Sequence, residues 1–203
     1  MVIVFCPALE SLMEALFIST GVVALAEIGD KTQLLAFILA ARFKKPLPII
    51  AGILVATLFN HGLAGALGAW ITSVVSPDVM RWVLGGSFIA MAIWTLIPDK
   101  IEEEETQVAK HLGVFGATLV TFFLAEMGDK TQIATVALAA HYGTPLLVIA
   151  GTTLGMLIAD VPAVFVGNQF AAKIPMKLVH AIAAAIFAVM GLLTIFQVDR
   201  LFQ

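Results

Sequence analysis

The sequence Glu-Ile-Gly-Asp-Lys-Thr-Gln occupies residues 27–33, and Glu-Met-Gly-Asp-Lys-Thr-Gln occupies residues 126–132. The two copies differ only at their second residue and are offset by 99 positions. With the same offset, 14 of the 26 positions from 126 to 151 are identical to those from 27 to 52. Agreement over this length indicates an internal duplication of the chain.

The composition is typical of a membrane protein. Hydrophobic residues make up 61% of the chain and charged residues 12%, whereas about a quarter of a soluble domain is charged. The mean hydropathy is +1.03. A net charge of -3 leaves no basic surface for nucleic acid. Cys6 is the only cysteine, which excludes an intramolecular disulfide and a cysteine-rich zinc cluster.

Six apolar stretches are long enough to cross a hydrocarbon core of roughly 30 Å, which predicts an all-α membrane protein. We place them at 11–41, 46–72, 79–97, 112–140, 145–168 and 177–197. The first and fourth would be about 45 Å long as straight helices, which exceeds the membrane thickness. We therefore expect them to be tilted, kinked or locally unwound, with Gly29 and Gly128 as the places where a membrane helix can open.

Each half of the chain holds three predicted spans, so the second copy must enter the membrane from the opposite side. This pattern predicts an inverted repeat, which places binding sites where the two halves meet. We expect three-helix repeats at 1–97 and 112–203, joined by an acidic linker at 98–111. Lysine and arginine accumulate in cytoplasmic loops, and seven loop residues of this kind fall on the linker side against two on the other. The linker is thus predicted in the cytoplasm and both termini outside it; short loops without a targeting extension favour a bacterial plasma membrane.

The duplicated motif brings carboxylates into an apolar setting. On a continuous helix Glu27, Asp30 and Lys31 would share one narrow sector, and ionisable residues deep in a membrane usually mark a transport pathway. Four motif carboxylates and two lysines leave a charge of -2, which a divalent cation would neutralise. The candidate ligands are Glu27, Asp30, Glu126 and Asp129, supplemented by Thr32, Gln33, Thr131 and Gln132.

These hard oxygen ligands suit Ca²⁺, Mn²⁺ or Mg²⁺ better than copper. In the absence of metal, mutual repulsion and burial favour protonation of at least one carboxylate, so protons are natural exchange partners. Ion pairs of purely structural role, Glu27 with Lys31 and Glu126 with Lys130, are the alternative interpretation.

Further polar residues lie at a similar depth in the membrane and are candidates for supporting or proton-coupling roles. Asn60 and His61 fall in the second span and Asp160 in the fifth. The motif lysines Lys31 and Lys130 are candidates for the same roles. His61 and Asp160 are 99 positions apart and thus repeat equivalents. Hydrogen-bonded helix packing is the alternative for Asn60 and His61. His180 lies at a span end, where an interfacial position is expected.

With its paired motifs at residues 27–32 and 126–131, the chain resembles a family of small cation:proton exchangers, which includes Golgi calcium/manganese transporters and bacterial manganese exporters. The resemblance covers essentially the whole chain. It implies that Glu27, Asp30, Glu126 and Asp129 are the cation ligands, and that the cargo is manganese or calcium, with no separate cofactor. It also implies export of the cation from the cytoplasm.

Three other functions stay open at this point. A passive divalent-cation channel could use the same ligands. Asp30 and Asp129 could form the dyad of an intramembrane aspartyl protease, although the lysine after each aspartate opposes the protonated form that catalysis needs. Amino-acid export is a third possibility for a six-span protein. The expected partners are the lipid bilayer, divalent cations and protons, with a homo-oligomer possible.

Overall fold

The computed structural model describes residues 7–97, 112–166 and 176–196, so the predicted acidic linker at 98–111 lies outside the described residues. Within those three ranges the chain forms eight α-helices and no strand. They are α1 (Pro7–Glu27), α2 (Lys31–Phe43), α3 (Pro46–Val74), α4 (Pro77–Thr95), α5 (Val114–Glu126), α6 (Lys130–Tyr142), α7 (Pro145–Val166) and α8 (Met176–Phe196). The all-helical class predicted from the sequence is confirmed.

Local sequence explains where most helices begin and end. Pro46, Pro77 and Pro145 stand at the first positions of α3, α4 and α7, where the missing N–H of proline costs nothing. Lys44 and Gly143, which are repeat equivalents, end α2 and α6 in left-handed conformations with φ of 53° and 65°. Each cap N–H donates back to a carbonyl of the last turn. The two halves therefore use the same helix-ending geometry.

The first and fourth predicted spans are both interrupted at their glycine. Helix α1 ends at Glu27 and α2 begins at Lys31, with an angle of 70° between them. Gly29 has φ of 86° and its equivalent Gly128 has φ of 77°, values that residues with a Cβ adopt only at a cost. The expected break is confirmed. The sector that Glu27, Asp30 and Lys31 would share on a continuous helix does not form, because Glu27 ends α1, whereas Asp30 is the N-cap of α2 and Lys31 is its first residue.

Membrane-crossing segments can be judged by length and composition. Among the described residues, α3 and the 145–165 part of α7 are each long and apolar enough to cross a membrane. The broken α1–α2 pair passes the same test if it counts as one span. Helix α5 and residues 180–196 of α8 are shorter apolar helices. The structure thus gives two or three clear spans, and the six-span inverted repeat stays a prediction.

Helix packing follows the offset of 99 residues. Helix α1 packs on α7, and their repeat equivalents α5 and α3 pack on each other. A Cβ on Gly151 would lie 2.9 Å from the Cβ of Ser19, and one on Gly52 would lie 2.7 Å from the Cβ of Thr118. Ser19 and Thr118 are themselves 99 positions apart. Matching glycines therefore permit matching close contacts between helices.

The buried apolar residues form two clusters that do not follow this symmetry. One joins mainly α1, α4, α6 and α8, and contains Val22, Phe88, Ala137 and Phe187. The other joins α2, α3, α5 and α7 around Phe122. Helices α4 and α8 pack on each other and on α6 and α1 respectively, with no comparable contact to α2 or α5. Of the broken pair α1–α2, only α1 packs closely on α8, and of the pair α5–α6, only α6 packs closely on α4.

Candidate metal centre

The two helix breaks carry the acidic residues of the motifs. Glu27 is the last residue of α1, and Asp30 is the N-cap of α2, where its carboxylate accepts the Lys31 N–H at 2.8 Å. Glu126 and Asp129 hold the same positions at the end of α5 and the start of α6. Broken helices expose backbone groups and helix-dipole ends, which membrane transporters use to bind ions.

Three of the four predicted carboxylates converge. Glu27, Asp30 and Asp129 each offer an oxygen atom, and these oxygens all lie within 4.8 Å of one another. All three residues are buried, with Glu27 fully inaccessible. Oxygens on opposite sides of a Ca²⁺ ion are about 4.6–5.2 Å apart, given bonds of about 2.3–2.6 Å. The cluster therefore has the size of a hard-cation site. Glu126 is equally buried but is not part of this group.

The motif threonines hold the two glutamates. Thr32 donates from Oγ1 to Glu27 Oε2 at 2.7 Å, and Thr131 donates from Oγ1 to Glu126 Oε2 at 3.0 Å. The other oxygen, Oε1, of each glutamate is buried without a hydrogen-bond partner among the described residues. Each threonine thus fixes one carboxylate oxygen and leaves the second for a cation or a proton.

The motif glutamines accept hydrogen bonds from the backbone of the two helix breaks. Gln33 Oε1 accepts the N–H of Gly29 at 2.9 Å, and Gln132 Oε1 accepts the N–H of Gly128 at 2.7 Å. Each glycine N–H has left the helical ladder, so it needs an acceptor outside it. In this arrangement the glutamine oxygens are engaged with the backbone and stabilise the shape of the site.

The glutamine side-chain amides also cross to the other half. Gln33 Nε2 donates to the carbonyl of Ala159 at 2.8 Å, and Gln132 Nε2 approaches the carbonyl of Asn60 at 3.5 Å. Ala159 and Asn60 are repeat equivalents. The Asn60 side chain donates from Nδ2 to the carbonyl of Phe123 at 3.1 Å. Asn60 therefore links α3 to α5, as the helix-packing interpretation expects.

The lysines form ion pairs between the halves. Lys130 Nζ lies 2.6 Å from Asp30 Oδ2, and both side chains are 1% exposed. Lys31 Nζ lies 3.9 Å from Asp129 Oδ1, and its side chain is 18% exposed. The structural alternative paired each lysine with the preceding glutamate of its own motif, whereas both of these ion pairs join one motif to the other. Pairs within one motif require the i, i+4 geometry of a continuous helix, which the break interrupts.

His61 and Asp160 are buried ionisable residues whose side chains have no hydrogen-bond partner among the described residues. Both are fully inaccessible, and neither the ring nitrogens of His61 nor the carboxylate oxygens of Asp160 have a hydrogen-bond partner in the described parts of the chain. Asp160 is close enough to Asp30 and Glu126 to interact with them electrostatically. A buried carboxylate without a donor needs a proton or a cation. Asp160 thus belongs to the electrostatic environment of the cluster.

His180 has a position that the sequence did not indicate. Its Nε2 atom lies 3.0 Å from the carbonyl oxygen of Ile28, inside the first break. A histidine near a helix start carries no pattern that would connect it with a motif 152 positions earlier. The prediction of an interfacial position missed this contact.

Buried carboxylates at paired helix breaks in an apolar, all-helical chain define a membrane transporter of metal cations. The profile of the family described as "Divalent cation/proton antiporter GDT1" matches residues 15–103 and 114–200. The chain belongs to this family. The two matched segments begin 99 positions apart, as do the two motifs.

Individual relatives carry names that are consistent with this family. A Vibrio cholerae protein named "Putative manganese exporter" is 52% identical over 94% of this chain and 94% of its own length. "GDT1-like protein 3" of Oryza sativa subsp. indica is 29% identical over 87% of this chain and 71% of its own. "GDT1-like protein 5" of Arabidopsis thaliana is 26% identical, covering 90% and 95%. No solved structure matches the chain significantly.

Family membership decides between classes of function. The chain is a multi-pass membrane transporter of metal cations and not an enzyme, so the aspartyl protease hypothesis is set aside. The buried contact of Lys130 with Asp30 argues in the same direction, because an ammonium favours the ionised carboxylate. The metal is cargo, as expected from the sequence, and the family implies no separate cofactor.

Proposed function

We propose that this protein is a secondary active antiporter that exports Mn²⁺, and to some extent Ca²⁺, from the cytoplasm in exchange for protons. The observation that carries the proposal is the buried cluster of Glu27, Asp30 and Asp129, whose oxygens lie within 4.8 Å of one another. Carboxylate oxygens are the ligands that these hard cations prefer. The printed name of the Vibrio cholerae relative favours manganese as the principal cargo.

The charge around the cluster supports exchange with protons. Asp160 adds a fifth carboxylate to the four of the motifs, so with two lysines the full ionised set carries a charge of -3. A bound divalent cation would leave -1, which burial disfavours unless a proton or another cation is present. The same oxygens therefore bind metal at one stage and protons at another, and this competition couples the two fluxes.

We further propose six membrane spans arranged as two inverted three-helix repeats, 1–97 and 112–203, with the linker at 98–111 in the cytoplasm. Equivalent contacts on Gly52 and Gly151 support the repeat, as do the family matches that begin 99 positions apart. The excess of lysine and arginine in loops on the linker side supports a bacterial plasma-membrane orientation with both termini outside.

Vesicle flux is the test of this function. Purified protein is reconstituted with equal Mn²⁺ on both sides, a pH difference across the membrane and an ionophore that clamps the voltage. An antiporter moves Mn²⁺ uphill under these conditions, and the internal pH changes with it. Rapid flow down an imposed Mn²⁺ gradient, with no movement at zero gradient, would replace the antiporter by a passive channel.

Ca²⁺ and Mg²⁺ are tested in the same vesicles. The Glu14→Gln variant is the matched control, because Glu14 is an exposed glutamate on α1, the helix that ends at Glu27. Its flux is expected to equal that of the unmodified protein.

A further inference from the structure

The two motif lysines are equivalent in sequence but not in structure. Lys130 is 1% exposed and lies 2.6 Å from Asp30, whereas Lys31 is 18% exposed and lies 3.9 Å from Asp129. Asp30 is also one of the three carboxylates of the metal cluster. A buried ammonium is therefore held on a proposed metal ligand.

We propose that Lys130 is an internal counter-ion of the metal centre: its ammonium holds Asp30 whenever no metal is bound, and incoming metal must displace it. The proposal rests on the metal site of the proposed function. It makes Lys130 a positioning and affinity-setting residue, since the lysine has no lone pair to offer a metal while it carries its charge.

The contacts of Asp30 explain why the ammonium has to move. Asp30 Oδ1 accepts the N–H of Lys31 at 2.8 Å in the N-cap of α2, and Asp30 Oδ2 faces Lys130 Nζ at 2.6 Å. The N-cap hydrogen bond is fixed by the start of the helix. The ammonium, by contrast, ends a flexible four-carbon stem. A cation that coordinates Asp30 therefore displaces the ammonium more easily than the backbone N–H.

Electrostatics favours the same exchange. The ammonium of Lys130 pairs with Asp30 at 2.6 Å and also attracts the more distant carboxylate of Glu27. A divalent cation and an ammonium on one carboxylate repel each other strongly in a buried site.

This arrangement has a measurable consequence for affinity and turnover. The protein binds metal only by breaking a buried ion pair, which weakens binding. On metal release the ammonium returns to Asp30 and opposes rebinding. The lysine thus keeps the affinity low enough for release, as transport requires.

Mn²⁺ binding to the purified full-length protein tests the proposal, measured by calorimetry at alkaline pH, where protons compete least. Lys130→Met is expected to tighten the apparent Kd by about tenfold or more and to slow Mn²⁺ turnover in vesicles. Lys130→Arg keeps the positive charge and should return the Kd to within about threefold of the unmodified protein. Lys31→Met should have a smaller effect than Lys130→Met.

Lys177→Met, at an exposed lysine, is the control and should leave the Kd unchanged. If Lys130 merely supported the shape of the site, Lys130→Met would weaken Mn²⁺ binding, and an unchanged or weaker affinity overturns the proposal. Should Lys130→Met fail to fold, Asp30→Asn is compared with Asp30→Asn/Lys130→Met, in which no charge of the pair remains. The double variant must then bind Mn²⁺ more tightly than the single one.

The outcomes separate this proposal from the function on which it rests. An unmodified protein that neither binds nor transports Mn²⁺ or Ca²⁺ would overturn the proposed function. An unmodified protein that binds Mn²⁺, with a Lys130→Met variant of equal or lower affinity, would overturn only the counter-ion.

Discussion

Glu27→Gln is the substitution that tests the metal cluster most directly. It keeps the shape of the side chain and an oxygen for the hydrogen bond from Thr32, but removes the charge and a metal ligand. Glu27 is fully buried, and its Oε1 atom has no hydrogen-bond partner in the described part of the chain. The substitution therefore removes an unfavourable buried charge and is not expected to unfold the protein.

The expected loss of affinity can be bounded from the geometry. The cluster oxygens lie within 4.8 Å of one another, so an ion bound among them would lie closer than that to the Glu27 carboxylate. Even at a separation of ~4.8 Å, a divalent ion and a carboxylate attract each other by about 7 kcal/mol at an effective dielectric constant of ~20. Desolvation of the carboxylate and its competing proton offset part of this attraction. We expect a net loss of at least about 3 kcal/mol, which weakens the Kd by more than about 100-fold.

Calorimetric Mn²⁺ binding and vesicle flux measure this effect, with Tm recorded on the same samples. Glu14→Gln serves again as the control, with wild-type binding expected. Glu126→Gln should cost less affinity than Glu27→Gln, because Glu126 is outside the three-carboxylate group. A Glu27→Gln variant whose Kd stays within about threefold of the unmodified value would refute the assignment of Glu27 as a ligand.

Mn²⁺ affinity should fall as the pH is lowered, because protons occupy the same carboxylates; titration at several pH values would contradict this if the Kd stayed constant. Reporters fused within the 98–111 linker and at the C-terminus should lie on opposite sides of the membrane; two cytoplasmic signals would exclude the six-span arrangement. Gly155→Ala should cost about 1–3 kcal/mol of stability, because its Cβ would lie 2.6 Å from the Thr20 carbonyl oxygen; Gly62→Ala, which has open space, should leave Tm unchanged or higher.

The sequence predicted the helices well because their ends are marked by residues with strong local preferences. The predicted spans 46–72 and 145–168 compare with helices at Pro46–Val74 and Pro145–Val166. Proline at a first helical position and glycine inside an over-long apolar stretch act within a few residues of themselves. Such signals can be read without knowledge of the tertiary fold.

The contacts within the site were less predictable, because they depend on how the breaks orient the side chains. A helical spacing of three or four residues predicts neighbours only while the helix continues. Gly29 adopts φ of 86° and interrupts the helix, and Lys31 pairs with Asp129 of the other half. The contact of His180 with Ile28 likewise joins distant parts of the chain and has no local signal. The residue types of the site could thus be predicted, but not their pairing.

The asymmetric packing of α4 and α8 bears on the second conformation that an antiporter needs. Phe88 and Phe187 are repeat equivalents that stack on each other at 6.5 Å, but Phe88 also contacts the ring of His141, edge to face, at 6.0 Å. The equivalent of His141 is Arg42, so the mirrored arrangement would bring Phe187 onto Arg42.

We expect the two contacts to belong to alternative states, so conditions that favour one should disfavour the other. Two double-cysteine variants are made in a Cys6→Ser background. One carries cysteine at positions 88 and 141, and the other at positions 187 and 42. Both are treated with a short thiol cross-linker. Added Mn²⁺ should change the cross-linking of the two pairs in opposite directions, because metal and protons favour different arrangements of the repeats. A change in the same direction, or a 42/187 pair that never cross-links in protein that still transports, would mean that α4 and α8 do not move between the two halves.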